Sequence, residues 1–248
     1  MISGVQVSSL KPLLSTEAKV KEAFRRLRAM GCDTVQLQWI DRSVSVEFIA
    51  RTLKETGLIS VSVQDFYEII RTDEDYYISL NQATGGAWMC VSRIPERLKS
   101  LPGLDEYIRE LRAFQKKLDE SGQKLCLHPV AADFEPIEGV NPVKYLLDHM
   151  PELSVCLDLY HLHKRGYSLT EWLAACAGRV PMVHFKDEKD GSLVPAGQGD
   201  VDWRGAAQAC MDAGVSYAFV EQETWNRNPY DCLKEALDWL NGQLRSGR

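Results

Sequence analysis

The chain has five histidines, and three of them, His128, His161 and His184, stand at or just past the ends of short apolar runs. Leu125-Cys126-Leu127 leads to His128, and Val155-Cys156-Leu157 leads to Asp158, with His161 three residues on. Met182-Val183 leads to His184, and Phe219-Val220 leads to Glu221. Taken singly, each of these residues reads equally well as a cap or as the satisfied partner of a nearby loop. Four consecutive apolar runs ending in His, Asp, His and Glu are harder to explain that way. A buried carboxylate is costly without compensation, whereas two carboxylates and two imidazoles around one divalent cation satisfy each other. Mixed nitrogen and oxygen donors suit Mn, Co or Zn better than Mg. A neutral His or a carboxylate at the same place is also a general-base candidate.

Other polar residues fall near these ends. Lys186 follows His184 by two, so period-2 alternation puts it on the same face. There it would polarise a substrate oxygen or bind a phosphate; the bland reading is a solvated loop lysine, as expected for Glu188-Lys189-Asp190. Gln36 and Gln38 share one face of an apolar run and would suit a hydroxyl-rich ligand, or else form a polar inner layer. Trp225, with Trp39, Trp88 and Tyr160, offers flat faces on which sugar rings pack, although each alone reads more simply as core or rim packing. His161 reads as a residue that supports the ligands or contacts substrate. Glu223, two past Glu221, reads as a substrate or structural carboxylate. Asp187 is expected to orient Lys186 or cap a turn.

The elements that must position these residues alternate along the chain. Strands are expected at Gly4–Ser9, Thr34–Trp39, Ile59–Val63, Trp88–Val91, Leu125–His128, Ser154–Asp158, Met182–Phe185 and Tyr217–Glu221. Amphipathic helices are expected between them: Thr16–Met30, with Val20, Ala23, Phe24 and Leu27 on one face and Gly31 as a stop, then Val44–Thr56, Glu74–Ala83, Gly103–Ser121, Asn141–His149, Ser168–Cys176, Trp203–Ala213 and Asp231–Leu244. Strands and helices alternating over 248 residues fit a single (β/α)8 TIM barrel, a domain spanning 1–248. A doubly wound open sheet normally has fewer strands, and no GxGxxG follows an early one, which argues against a dinucleotide site. In a barrel the active site lies at the C-terminal strand ends. Neighbouring strands are about 5 Å apart, so the four candidate ligands would converge.

Composition narrows the classes. Net charge is −6, with 29 Lys+Arg against 35 Asp+Glu, which argues against a nucleic-acid-binding face. No apolar run approaches the roughly 18 to 20 residues of a membrane span, and Met1-Ile2-Ser3-Gly4 carries no basic start of a signal peptide. The seven cysteines form no CxxC pair and several sit inside apolar runs. A reducing compartment, the cytoplasm, is expected.

Three local motifs resemble the sugar phosphate isomerase/epimerase superfamily of xylose isomerase-like barrels. Asp158-Leu159-Tyr160-His161 is similar to its Asp-x-x-His. Gly178-Arg179-Val180 through His184-Phe185-Lys186-Asp187 is similar to its G-R-[IV]-x-x-x-H-x-K-D run. Gly197-Gln198-Gly199-Asp200-Val201-Asp202 is similar to its G-x-G-x-[IV]-[DN] loop, and Glu221 to its terminal strand-eight Glu. The likeness is specific from about residue 122 onward. It implies a metal-dependent enzyme acting on a small carbohydrate, with a homo-oligomer in keeping with the family. The chain departs from the pattern at strand five, where many members carry a metal-binding Glu and this chain has His128. One subgroup has a His-Asn-His run followed by a Glu; here Val130 stands for the second His, and Asp133-Phe134-Glu135 follows. Either His128 is the fourth ligand, which is favoured, or Glu135 folds back to the metal and leaves His128 as a base.

The resemblance supports α-proton abstraction by Glu221 or His128 and a metal-stabilised enediolate, giving isomerisation or epimerisation of a ketose, an aldose or a related polyol. Replacing one of the two opposed glutamates by His128 weakens the paired proton exchange. A lyase is therefore the alternative, either an inosose-type dehydratase or an enzyme cleaving a 3-keto-glycoside. A non-catalytic barrel subunit is the second alternative. A DNA-repair endonuclease on the same scaffold needs more metal-ligating histidines and a less acidic chain.

Overall fold

A computed structural model describes residues 1–246; the remainder of the domain expected over 1–248 lies outside them. Eight parallel strands close into a barrel: β1 (Ile2–Gln6), β2 (Thr34–Leu37), β3 (Ile59–Phe66), β4 (Trp88–Ser92), β5 (Lys124–His128), β6 (Ser154–Asp158), β7 (Met182–Phe185) and, after a small antiparallel hairpin of β8 (Asp187–Lys189) and β9 (Ser192–Val194), β10 (Tyr217–Val220). Each barrel strand pairs with its sequence neighbour, and β10 closes onto β1. Helices cover the outside. Their starts follow side-chain capping: Thr16, Ser45, Ser100, Asn141 and Ser168 each accept a backbone N–H from the first turn. Gly57 ends the helix Val46–Thr56 in the left-handed region, as a C-terminal glycine should.

The barrel interior is layered. Val61, Cys90, Cys126, Cys156, Met182 and Phe219 form a sulfur-rich layer inside the strands. At the C-terminal end it gives way to polar side chains. Asp158 is level with His184 across β6 and β7, Ser92 with His128 across β4 and β5, and Gln6 with Gln36 across β1 and β2.

Several elements differ from the sequence expectation. The first strand ends at Gln6 rather than Ser9, because Val7–Leu13 winds into a 3-10 helix whose start is capped by the Gln6 side chain. Glu188-Lys189-Asp190, expected as a solvated loop, lies in the hairpin, whose turn uses Asp190 and Gly191 at positive φ. Short helices Tyr67–Thr72 and Leu159–Lys164 follow β3 and β6 directly. Both are too short to show a periodic pattern. The helix expected from Trp203 begins at Ala206, because the Trp203 indole is tied to Asp187.

Candidate metal centre

β5 and β6 end on His128 and Asp158, β7 carries His184 one residue before its end, and Glu221 directly follows β10. One donor atom from each of these four residues lies within 4.8 Å of all the others. All four residues are buried.

The surroundings decide which atoms face inward. His184 Nε2 lies 2.6 Å from Gln36 Oε1. An amide oxygen can only accept, so this nitrogen carries the proton and Nδ1 presents its lone pair to the cluster. His128 Nδ1 lies 3.0 Å from Ser92 Oγ, and its Nε2 points to His184 Nδ1 at 3.2 Å. Ser8 Oγ donates to Glu221 Oε1 at 2.7 Å, leaving Oε2 3.1 Å from His184 Nδ1. The backbone N–H of His161 donates to Asp158 Oδ1 at 3.1 Å, while Asp158 Oδ2 is buried with no hydrogen bond. Each ligand candidate therefore has its outer atom held by a protein group and its inner atom turned to one point. The two imidazole nitrogens facing each other at 3.2 Å, beside a carboxylate oxygen with no hydrogen bond, hold either a shared proton or a cation between them. The donor set fits a divalent ion.

Charge leads to the same result. Lys186 Nζ lies 3.6 Å from Asp158, 3.2 Å from Glu221 and 2.7 Å from Glu223. Three carboxylates against one ammonium leave an excess of negative charge, which a divalent cation would offset, although burial and then Glu221 raise the Glu223 pKa. Burial opposes charging of Lys186, but Glu221 and Asp158 outweigh it and raise its pKa. Burial would raise the Glu221 pKa, but Lys186 and then His184 hold it well below the usual carboxylate range. Asp158 is likewise held ionised against its burial by His161 and Lys186. Burial, and then the neighbouring His184, push His128 down to about 3, so it is a neutral donor. Burial works against protonation of His184, but Glu221 outweighs it and raises the pKa. A proton at this position is the cation's competitor.

A cavity of about 370 Å³ opens above the cluster, lined by His128, Glu221, His161, Lys186, Glu223 and Gln38, and by Trp39, Gln64, Phe66 and Arg93 from the first half of the barrel. His161 Nε2 lies 3.6 Å from Asp158 Oδ2. Three residues expected in the site lie elsewhere. Gln36 is fully buried beneath the cluster, where it bonds His184 and Gln6, so it supports a ligand rather than facing a substrate. Glu135 is exposed and pairs with Arg165 at 3.1 Å, because the turn at 131–134 carries it outward. Trp225 is half-buried and is not among the residues lining the cavity. Sequence reasoning missed Ser8 and Ser92. Both are serines at or just past strand ends, and that position was the available signal.

Asp187 turns out to hold a loop. It is fully buried and accepts the N–H groups of Glu188, Gly197, Gly199 and Val201 and the Trp203 indole, all within 3.2 Å. A Cβ at Gly199 would lie 2.1 Å from Asp187 Oδ1, so only glycine lets the loop backbone come this close. The Gly197–Trp203 loop is thus fixed to the residue after Lys186.

Comparison with known proteins agrees with this architecture. Residues 18–243 match the family model of the xylose isomerase-like TIM barrel. A sugar phosphate isomerase/epimerase from Parabacteroides distasonis superposes with a TM-score of 0.80 at 14% identity, covering 96% of this chain and 92% of that one. The 3-keto-D-glucoside 4-epimerase of E. coli gives 0.74 at 17% identity, over 98% and 99%. A probable 3-DHS dehydratase of Bacillus anthracis gives 0.76 at 15% identity, over 97% and 99%. No curated protein sequence matches the chain significantly.

Proposed function

The chain belongs to the xylose isomerase-like TIM barrels, and we propose that it is a divalent-metal-dependent enzyme that isomerises or epimerises a ketose, an aldose or a related polyol. The observation that carries this reading is the inward convergence of His128, Asp158, His184 and Glu221, each with its outer atom already engaged. A bound Mn, Co or Zn ion supplies Lewis-acid stabilisation of charge developing on substrate oxygens.

The residues themselves move the proton. His128 and Glu221 face the ion in this reading, which leaves the base to a carboxylate beside them. Glu223 lines the cavity, its Oε1 is held by Lys186 at 2.7 Å, and its Oε2 is buried with no hydrogen bond. In this reading the Glu223 carboxylate takes the hydrogen α to a carbonyl, and the electron pair passes into an enediolate. Return of the proton to the neighbouring carbon, with transfer of the hydroxyl proton from one enediolate oxygen to the other, gives the isomer. The Lys186 ammonium, 3.2 Å from Glu221 Oε2, offsets the negative charge of the site through both steps. His161, whose pKa burial lowers despite Asp158, stands across the cluster as a hydrogen-bond partner for a substrate hydroxyl.

A lyase on the same scaffold is the second reading, and one observation favours it. Where an opposed carboxylate would stand at the end of β5 there is His128, and Glu135 points away. Proton removal from one face followed by departure of a β-substituent needs only one base. Seven buried free thiols fit a reducing cytoplasm, and no described helix is long and apolar enough to cross a membrane.

The test is solvent deuterium exchange into a panel of ketoses, followed by NMR. Exchange that stops on chelation and in Glu223→Gln supports the reading. Product that has lost a hydroxyl or another β-substituent selects the lyase. No exchange with any carbonyl substrate, in protein shown to hold metal, sinks both and makes a non-catalytic barrel the account to pursue.

A further inference from the structure

The wall facing the metal cluster is built by the ends of β2, β3 and β4, and no motif in the sequence accounts for it. Trp39 and Arg93 are both non-glycine residues held in the left-handed region, at φ 57° and 65°. Such a conformation is strained for a residue with a side chain and persists where surroundings enforce it, most often at functional sites. Both flank Phe66: the Trp39 ring centroid lies 5.9 Å from that of Phe66, and the Arg93 guanidinium sits 4.5 Å over the Phe66 ring. All three line the cavity. Arg93 is also tied to the cluster through the backbone, since its N–H donates to the His128 carbonyl and its neighbour Ser92 holds the His128 ring.

The charges at the mouth are unevenly matched. Lys186 is paired with three carboxylates, and Lys99 with Glu96 at 2.6 Å and Asp133 at 3.5 Å. Among the described residues, no carboxylate pairs with Arg93. Arg93 is exposed at the mouth, and a guanidinium lying over an aromatic ring keeps its edge donors available for bidentate binding of an anion. We propose that the substrate carries an anionic group, a carboxylate or a phosphate, which Arg93 binds against the Trp39–Phe66 wall while the carbonyl end reaches the His128–Asp158–His184–Glu221 cluster. This deepens the proposed function and rests on its placement of the reacting end.

Three ketoses of similar size test it by calorimetry: D-fructose, 5-keto-D-gluconate and D-fructose 6-phosphate. One anionic ketose should bind roughly ten-fold or more tightly than fructose, the scale of a charge-assisted pair. The carboxylate and phosphate arms tell the two sources apart. Arg93→Met should abolish the preference and leave metal content unchanged. Asp158→Asn should lose metal and retain the preference. Equal binding of all three, no binding of either anion at millimolar concentration, or a preference that survives Arg93→Met would overturn the proposal. If the protein holds no metal yet the Arg93-dependent preference remains, the cluster reading fails and the anion subsite stands.

Discussion

Gln36 is the residue on which the orientation of His184 depends, and Gln36→Met tests that dependence. The substitution preserves length and burial but removes Oε1, which accepts from His184 Nε2 at 2.6 Å and from Gln6 Nε2 at 3.0 Å. Two effects follow. A buried Nε2–H left without an acceptor costs about 1–3 kcal/mol of stability. The ring also loses the bond that fixes its tautomer, so the proton can move to Nδ1, the nitrogen that faces the cluster. Loss of such a supporting bond typically weakens metal binding by about 10- to 100-fold. The assay is competition for Co or Zn against a chromogenic chelator, with the unfolding midpoint in urea measured in parallel. Gln38→Met is the control: Gln38 lines the cavity and accepts from Gln64 at 3.3 Å, but bonds no ligand candidate. An unchanged metal Kd in Gln36→Met, or an equal loss in Gln38→Met, would refute the reasoning.

Asp187→Asn should destabilise the protein by about 3 kcal/mol or more, because an amide NH2 would face donors that a carboxylate accepts. Urea titration reads the loss, and proteolysis should begin within the loop Gly197–Trp203 that Asp187 holds. All seven cysteines are buried, so a thiol reagent such as DTNB should label none in the native protein and all of them in denaturant; rapid native labelling would contradict the packing. Metal affinity should fall as pH drops from 8 to 6, because Glu221 raises the His184 pKa and a proton then competes for the inward nitrogen. A chelator titration with equal Kd at both pH values would show that His184 does not carry that proton.

The second half of the candidate site was more legible in the sequence than the first, for a physical reason. His128, Asp158, His184 and Glu221 each end or directly follow an apolar strand, and a strand buried on both faces advertises its end by the abrupt change in polarity. Lys186 was found by alternation from His184. Glu135 misled because separation along the chain says nothing about a turn that carries a side chain outward to Arg165. Gln36 was rightly placed on the inner face, but its depth depends on strand tilt and on the register shift between β2 and β3 at Val35/Gln36, which no linear pattern records. Of the opposite wall the sequence offered Gln38 and Trp39 but not Phe66 or Arg93, because the wall depends on the left-handed backbones of Trp39 and Arg93, a conformation that residue type does not signal outside glycine and asparagine. The true end of the first strand was hidden in the same way. Val7-Ser8-Ser9 carries no glycine or proline to mark a strand end, yet the 3-10 helix there is what brings Ser8 to Glu221 and Ser9 Oγ to the backbone N–H of Gln222 at 3.0 Å.

The most direct test is the metal content of the purified protein, measured by mass spectrometry beside Asp158→Ala. About one divalent ion per chain is the content expected of this donor set, and it should be lost in the variant. Adding Mn, Co or Zn should raise the melting temperature of the stripped wild type but leave Asp158→Ala unmoved, since an ion that binds only the folded state stabilises it. No metal in either protein, together with no thermal shift in the wild type, would contradict the reading of these four residues as a metal centre.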